Sequence, residues 1–309
     1  MTKKLKNYYY NFLKFKNKLV YGKPVLVMMY HRINEISSKE LNHLTVSTTN
    51  FEQQLILFKE NFQILKVEDD WSSLKKTGLV VTFDDGYADN MLNALPLLEK
   101  HQIPATIFVT TLNINTKNEF WWDRLSFDYN HINYEFNIPG NINMINKDDY
   151  SYKKLSNIIA KLSTLEIEKW LFDFENLNNI NFKPRDEYRS LTSDELFSLS
   201  IHPLITIGIH TENHYYLGEL NFENQKKELL LSLEKLRNST HRFINYLAFP
   251  YGSYNADSLL VNEELNINGS FLANNYYTNN YFKKSKKISR IIAFDYKKNE
   301  MIHFLKKYH

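Results

Sequence analysis

Short apolar runs that alternate with amphipathic segments constrain this fold more than any other feature of the chain. Runs of this length that are apolar on both faces are typical of strands buried in a parallel sheet. The apolar runs lie at residues 25–30, 79–83, 105–109, 204–209 and 246–249. Helical spacing appears at residues 50–60, 88–101 and 222–237. This alternation predicts a parallel α/β sheet or barrel, with functional residues at the carboxyl ends of its strands.

The domain organisation follows from the length and from where the alternation weakens. A chain of 309 residues exceeds a typical domain, but α/β barrels of about 250 residues form one domain and tolerate insertions. We therefore predict one catalytic domain over residues 24–309, with a helical insertion at about 112–203. Residues 1–23 are predicted to form a separate basic, aromatic segment.

Composition limits the classes of partner and of site. The net charge of +3, from 38 basic and 35 acidic residues, is too balanced for a dedicated nucleic-acid binder, so no nucleic-acid partner is expected. The chain has no cysteine, which excludes disulfides and thiolate metal sites. Any metal site must therefore use nitrogen and oxygen ligands from His, Asp and Glu.

The amino-terminal segment bears on location. No stretch approaches the roughly 20 apolar residues that span a bilayer, and the start does not resemble a secretory signal, so a cytoplasmic location is predicted. Residues 5–21 interleave aromatic side chains with lysines. They can lie against an anionic membrane surface, giving peripheral membrane contact, or pack as a helix on their own domain. The sequence makes no prediction of oligomeric state.

The segment Thr-Phe-Asp-Asp-Gly, residues 82–86, ends the second apolar run with two adjacent carboxylates. Neighbouring carboxylates repel each other unless a positive charge joins them. A divalent cation bound by one acid would relieve the repulsion and leave the other free as a general base. The alternative is a turn that merely caps the following helix.

A second polar segment, Gly208 to His214, follows a later apolar run and contains two histidines four residues apart, His210 and His214. On a helical turn the two imidazoles would share one face and could share one ion. The spacing alone is a weak signal, which its place after a strand strengthens. Glu212 is expected to point away from both histidines into solvent.

A third segment, Phe249-Pro250-Tyr251-Gly252, ends the apolar run at 246–249 in a turn. Such a turn can aim a backbone N–H into the mouth of the barrel, where it would stabilise an oxyanion. An ordinary turn is the alternative for this segment taken alone.

Taken in order, Thr-Phe-Asp-Asp-Gly, His-Thr-x-x-His and Phe-Pro-Tyr-Gly resemble the first three motifs of the polysaccharide deacetylases, the carbohydrate esterases of family four with a NodB homology domain. The resemblance covers roughly residues 24–295. It implies a distorted parallel (β/α) barrel of about seven strands that depends on a divalent metal, usually zinc, and acts on N-acetylated sugars.

Residue by residue, the resemblance makes Asp84 the general base and Asp85, His210 and His214 the metal ligands. The Tyr251 N–H would help to hold the oxyanion. The chain departs from the pattern where an arginine is expected five residues before the motif proline, because Asn245 stands there.

Three further residues are predicted to lie against the substrate or to support the site: Trp122, Pro250 and Arg290. Arg290 is also the candidate replacement for the missing arginine. Trp121 and Trp122 can line a sugar groove by exposing their aromatic faces, with core packing as the alternative.

The general acid has two candidates. His303, which is the nearest match to the late histidine motif of the family, lies in a predicted terminal helix. His31 follows the first apolar run, and the Tyr30-His31 pair resembles that of deacetylase branches whose acid comes from an early strand. A histidine satisfied by hydrogen bonds at a strand end is the alternative for His31.

The sequence thus predicts metal-dependent hydrolysis of the N-acyl amide of an amino sugar, with acetyl as the leading acyl group. The substrate would be part of a surface polysaccharide, a glycolipid or a lipid-linked sugar precursor. One alternative is a carbohydrate-binding protein that kept the fold and lost turnover. Another is a deformylase or other amidase that acts on an acylamino sugar.

Overall fold

A curved sheet forms the centre of the protein, and every strand pair among its described residues is parallel. The computed structural model describes residues 23–36, 40–132, 138–139, 147–276 and 286–308. The predicted amino-terminal segment therefore lies outside the described residues, except for Lys23. No helix in the described ranges combines the length and the apolar character that crossing a membrane requires.

The strands of the main sheet run in the spatial order β10-β9-β8-β7-β6-β5-β1-β11, with β4 also pairing with β5. A separate pair, β2 and β3, lies outside it. The strands are β1 (Val25–Tyr30), β2 (Arg32–Ile33), β3 (Thr45–Val46), β4 (Gln63–Ile64), β5 (Gly78–Phe83), β6 (Ala105–Val109), β7 (Ile205–Ile209), β8 (Tyr246–Ala248), β9 (Gly269–Phe271), β10 (Lys287–Ile288) and β11 (Ile291–Ile292).

The two margins of the sheet meet in one stretch of chain. Strand β10 pairs with β9 at one margin, whereas β11 pairs with β1 at the other. Only Ser289 and Arg290 separate β10 from β11. Residues 287–292, here called the seam, therefore run from one margin to the other of a sheet that is curled into a distorted, incompletely closed barrel.

Helices cover the outside of the sheet and form the insertion between β6 and β7. They are α1 (Thr48–Asn61), α2 (Leu95–His101), α3 (Trp121–His131), α4 (Asp149–Ile159), α5 (Thr164–Leu177), α6 (Ser193–Ile201), α7 (Phe222–Ser239), α8 (Ala256–Glu264) and α9 (Lys298–Leu305). A π-helical turn, Asn90–Ala94, leads into α2.

The alternation of strands and helices read from the sequence is confirmed, with differences at element ends. Helix α1 begins at Thr48 because the side chain of Ser47 caps it by accepting a hydrogen bond from the Asn50 N–H. In the insertion, α4, α5 and α3 share a core of their own, made by Leu125, Tyr129, Tyr152, Leu155, Leu171 and Phe174. The domain boundaries stay a prediction.

A buried acidic pair, Asp128 of α3 and Glu175 of α5, makes stability depend on pH. Burial and the neighbouring Glu175 carboxylate raise the pKa of Asp128 to about 8, although Arg124, whose Nε lies 2.6 Å from Glu175 Oε1, opposes the shift. In the unfolded chain the Asp128 carboxyl titrates at about 4. The folded state then holds a proton that the unfolded state releases, so stability is lost as the pH rises from about 4 to about 8.

We expect Asp128→Asn, which cannot release that proton, to flatten this decline in the free energy of unfolding. Urea unfolding at a series of pH values between 5 and 9 measures it. Glu263→Gln, which changes an exposed acid on α8, is the matched control and should keep the wild-type slope. An Asp128→Asn slope equal to that of wild type would contradict the shifted pKa.

Candidate active site

Three strand ends place polar side chains around one cavity of about 450 Å³. His31 follows β1, Asp84 and Asp85 follow β5, and His210 follows β7. The turn Pro250–Gly252 follows β8. The residues that line the cavity include Met29, His31, Leu44, Asp84, Asp85, Trp121, Trp122, Ser156, His210, His214, Tyr216, Phe249 and Tyr251. The parallel register of the sheet brings these distant segments together at its carboxyl edge.

The turn after β5 separates the directions of the two carboxylates. Asp84 donates its backbone N–H to Tyr30 O at 2.9 Å, which continues the ladder between β5 and β1. Asp85 and Gly86 then adopt left-handed φ values of 73° and 83°. A Cβ at Gly86 would also lie 3.0 Å from Val109 Cγ1, so both the conformation and the space favour glycine there.

Asp84 faces Arg290 from the seam. The guanidinium Nη1 and Nη2 lie 2.6 and 2.7 Å from Asp84 Oδ1 and Oδ2, in a bidentate pair. Burial raises the pKa of Asp84, but the charge and hydrogen bonds of Arg290, together with the nearby imidazoles of His210 and His31, outweigh it and lower the net pKa, so the carboxyl is ionised at neutral pH. Phe108 and Phe271 flank the guanidinium, at 5.6 and 5.8 Å from the ring centroids.

Asp85, His210 and His214 offer ligand atoms that all lie within 4.8 Å of one another. Asp85 Oδ1 is 3.3 Å from His210 Nε2 and 3.3 Å from His214 Nε2. His210 Nδ1 lies 2.8 Å from the carbonyl of Ala248, which fixes the proton on Nδ1 and leaves the Nε2 lone pair facing Asp85.

This donor set fits a divalent cation. Asp85 Oδ1 is buried and has no hydrogen-bond partner among the described residues. This unpartnered carboxylate oxygen and the two imidazole nitrogens that converge with it form the two-histidine, one-carboxylate set that binds Zn²⁺ and related metals. The two nearby imidazoles overcome the effect of burial and lower the pKa of Asp85, which favours the charged ligand form.

The histidine pair is brought together by a route that the sequence did not predict. Residues 210–214 form no helical turn. Instead, Thr211 and His214 adopt φ values of 66° and 59°, and Thr211 Oγ1 accepts a hydrogen bond from the His214 N–H at 3.1 Å. The solvent-facing position expected for Glu212 is wrong, because it is buried, accepts a hydrogen bond from Thr111 and pairs with Lys235 Nζ at 2.5 Å.

Aromatic rings form the walls of the cavity. The Trp122 ring stacks on Phe120 at 4.6 Å and lies 4.7 Å from the His214 ring. Its Nε1 donates to Tyr87 Oη at 2.8 Å, and Tyr87 in turn donates to Asp123 Oδ2 at 2.6 Å. The sequence left two alternatives for Trp122, core packing and lining of a sugar groove. The Trp122 ring does both, since it is buried against neighbouring rings and also lines the cavity.

Another part of the wall is formed by Tyr251, whose ring stacks on Tyr216 at 3.9 Å and contacts the His214 ring at 4.6 Å. Tyr251 has a φ of 56° inside its turn. Asp85, His214 and Tyr251 are thus three non-glycine residues with left-handed φ that line one cavity, and Thr211, next to His210, is a fourth. Backbone strain of this kind persists where the surrounding structure enforces it, and it collects at functional sites.

Some predicted residues lie elsewhere. Pro250 is buried and is not among the residues that line the cavity. Arg290 is fully buried, so it is placed to support Asp84 and not to touch a substrate. His303 is exposed on α9, whereas His31 lines the cavity. Asn245 donates to the carbonyls of residues 265 and 266, and does not replace the missing arginine.

Three contributors were missed from the sequence: Tyr87, Tyr216 and the Ala248 carbonyl. Tyr87 could have been found, because it follows directly after the Asp-Asp-Gly segment. Tyr216 and Ala248 carry no local signal, since their contribution depends on how β7 and β8 lie beside each other.

Comparison with known proteins gives a family for these motifs. The family model described as polysaccharide deacetylase matches residues 72–270. Over 118 residues the chain is 29% identical to a poly-beta-1,6-N-acetyl-D-glucosamine N-deacetylase of Staphylococcus aureus, covering 33% of this chain and 41% of that protein. The chain thus spans about two fifths of that relative's length. It is also 22% identical over 247 residues to YxkH of Bacillus subtilis, covering 77% of this chain and 60% of that one.

Solved structures confirm the fold class. The deacetylase PplD of Streptococcus pyogenes, in complex with acetate, matches with a TM-score of 0.55 at 19% identity over 91% of this chain and 97% of its own. IcaB from Ammonifex degensii matches with a TM-score of 0.59 at 15% identity, over 88% of this chain and 93% of its own. Identities this low show a shared fold alone, and that fold is the predicted distorted parallel barrel.

Proposed function

Because the chain belongs to the polysaccharide deacetylase family, we propose that it hydrolyses the N-acetyl amide of an amino sugar in a polysaccharide or a lipid-linked precursor, with a divalent metal at Asp85, His210 and His214. The observation that carries this proposal is the convergence of that donor set beside a separately held, ionised carboxylate, Asp84. Asp85 is then available to bind the metal and Asp84 to act as a base. A turn that only capped a helix would not require two acids held in such different ways.

Asp84 is the proposed general base. Its carboxylate lines the cavity next to the ligand group, and Arg290 keeps it ionised and fixes its plane. Asp84 would accept the proton of the water that attacks the amide carbonyl carbon. A bound divalent cation, for which this donor set favours zinc, would supply Lewis-acid polarisation of that carbonyl and lower the pKa of the attacking water.

His31 is the proposed general acid. It reaches the same cavity from β1, and Asn90 Nδ2 donates to its backbone carbonyl at 2.8 Å, which fixes the segment. Its proton would pass to the sugar nitrogen as the C–N bond breaks, giving a free amine and a carboxylate. The Tyr251 N–H is the proposed donor to the oxyanion that forms between these steps.

The aromatic walls suit a sugar ring. Trp121, Trp122 and Tyr251 line the cavity, and pyranose rings pack their C–H faces on such side chains. The S. aureus relative is named for poly-beta-1,6-N-acetyl-D-glucosamine. N-acetylglucosamine is therefore the first sugar to test, and the cytoplasmic location expected from the sequence stays part of the proposal.

The experiment is a fluorescent assay of free amine released from N-acetylglucosamine oligomers, with the purified protein, with and without added zinc. We expect wild type to release amine and acetate in equal amounts, and to lose turnover after treatment with a chelator. His303→Ala, which changes an exposed histidine outside the cavity, should retain full activity.

Two results would count against deacetylation. Oligomer binding without any release of amine would indicate a carbohydrate-binding protein on the same fold. Release of formate from an N-formylated sugar, with no release of acetate from the acetylated one, would indicate a deformylase.

A further inference from the structure

A shallow basic groove lies on the insertion, on the outer face of α4. Its cavity has a volume of about 560 Å³. It is lined by Tyr150, Lys153, Lys154, Asn157, Ile158 and Lys161. We call it the lysine groove. Its chemistry is unlike that of the catalytic cavity, because cationic and amide side chains predominate and no carboxylate lines it.

The lysine groove borders the catalytic cavity on a single helix. Ser156 of α4 lines the catalytic cavity, while Lys153 and Asn157 of the same helix line the groove. Residues three apart on a helix are surface neighbours, so Ser156 lies beside Lys153 at the boundary between the two. A saccharide with one residue in the cavity could therefore continue across this boundary into the groove.

The positive charge of the groove is only partly compensated. Lys161 Nζ pairs with Glu219 Oε1 at 2.8 Å, and both side chains are about half exposed. Lys153 and Lys154 form no ion pair with any residue that the structure describes. The nearest acid on α4, Asp149, lies at the first turn, where it complements the helix dipole.

We propose that the lysine groove binds a phosphate group carried by the same saccharide whose N-acetyl residue occupies the catalytic cavity. Lysine ammonium groups act as compact point charges that bind phosphate, and the charge of about −2 on a phosphate monoester suits adjacent lysines better than the single charge of a carboxylate does. The exposed ring of Tyr150 offers a face for the sugar that carries the phosphate. This inference rests on the proposed function and narrows its substrate to a phosphorylated glycan.

The test compares three N-acetylglucosamine trisaccharides: a neutral one, one with a 6-phosphate on a terminal sugar, and one with a diphosphate at the reducing end. The second trisaccharide represents a glycan that carries a phosphate on a sugar, and the third represents a diphosphate-linked precursor, so the comparison distinguishes these two sources of phosphate. Wild type should have kcat/KM about tenfold higher for at least one phosphorylated substrate. That preference should shrink in high salt, because exposed charges are screened.

The double variant Lys153→Gln/Lys154→Gln should lose the preference and keep wild-type kcat/KM on the neutral trisaccharide. The matched control is Lys75→Gln/Lys76→Gln, which removes two exposed adjacent lysines from the loop before β5, at the opposite end of that strand from Asp84. The control should keep the preference. Thermal melting of both double variants verifies that each is folded.

Equal kcat/KM of wild type for neutral and phosphorylated trisaccharides would overturn the proposal, as would equal losses on both in the α4 double variant. If no trisaccharide is hydrolysed, the deacetylase proposal fails, but the lysine groove can still be tested by calorimetric measurement of binding affinity.

Tighter binding of a phosphorylated trisaccharide to wild type, weakened only in the α4 double variant, would then support phosphate binding by the groove. Equal affinity for all three trisaccharides would refute it.

Discussion

Replacing Asp84 by asparagine is expected to lower kcat for amide hydrolysis by about a thousandfold while zinc affinity stays within a few fold of wild type. The amide of asparagine keeps the size of the carboxyl but cannot accept a proton from water. Asp84 is held by two hydrogen bonds from Arg290, and its Oδ2 lies 3.9 Å from His210 Nε2, beyond hydrogen-bond distance. Its loss should therefore leave Asp85, His210 and His214 able to bind metal. Steady-state kinetics together with zinc titration against a chromogenic chelator measure both quantities.

Arg290→Lys is the informative companion to Asp84→Asn. This substitution keeps the positive charge but replaces the bidentate guanidinium contact by a single ammonium group, so the plane of the Asp84 carboxylate is no longer fixed. We expect a loss of kcat smaller than that of Asp84→Asn, again with zinc affinity kept. Parallel loss of metal and activity in Asp84→Asn would instead make Asp84 a metal ligand, and would contradict the division between the two acids.

His210→Ala is expected to remove metal binding and turnover together. Loss of a residue that only orients a ligand typically costs 10–100-fold in affinity, so loss of one ligand out of three should exceed about a hundredfold. His210 is buried and its Nδ1 contacts the Ala248 carbonyl, so alanine also leaves that carbonyl without its donor. A modest drop in melting temperature should accompany the loss.

Zinc content by atomic absorption, and activity across a range of added zinc, check His210→Ala. The matched control is His303→Ala, which removes an exposed imidazole from α9 and should bind zinc as wild type does. Full activity of His210→Ala at micromolar zinc would show that the proposed ligand group is not the metal site.

Much of the fold and of the candidate site could be predicted because its signals are local. Strand β6 was predicted at its observed bounds, since a short run of mainly β-branched and aromatic residues that begins after Pro104 and ends before Thr110 is typical of a buried strand. The acidic segment and the histidine segment could likewise be recognised from the sequence, because each lies at the end of a predicted strand. The parallel register then brings them to one edge.

What could not be predicted depends on contacts between distant residues or on backbone conformation. Arg290 was named from the sequence as the candidate replacement for the missing arginine. The bidentate geometry of its contact with Asp84, 206 residues away, depends on how distant strands come together and could not be derived from the sequence. The route from His210 to His214 was predicted as a helical turn because the spacing fits one. The observed left-handed Thr211 and His214 are stabilised by local hydrogen bonding and by neighbours that no periodicity reveals.

The seam links the stability of the sheet to the charge state of the proposed base. Every proposed metal ligand precedes residue 215, but the guanidinium that neutralises Asp84 comes from residue 290. A buried carboxylate without a counter-charge is strongly destabilising. The six residues that link the two margins of the sheet therefore also supply the charge that keeps Asp84 ionised, so the integrity of the sheet and the ionisation of Asp84 depend on one segment.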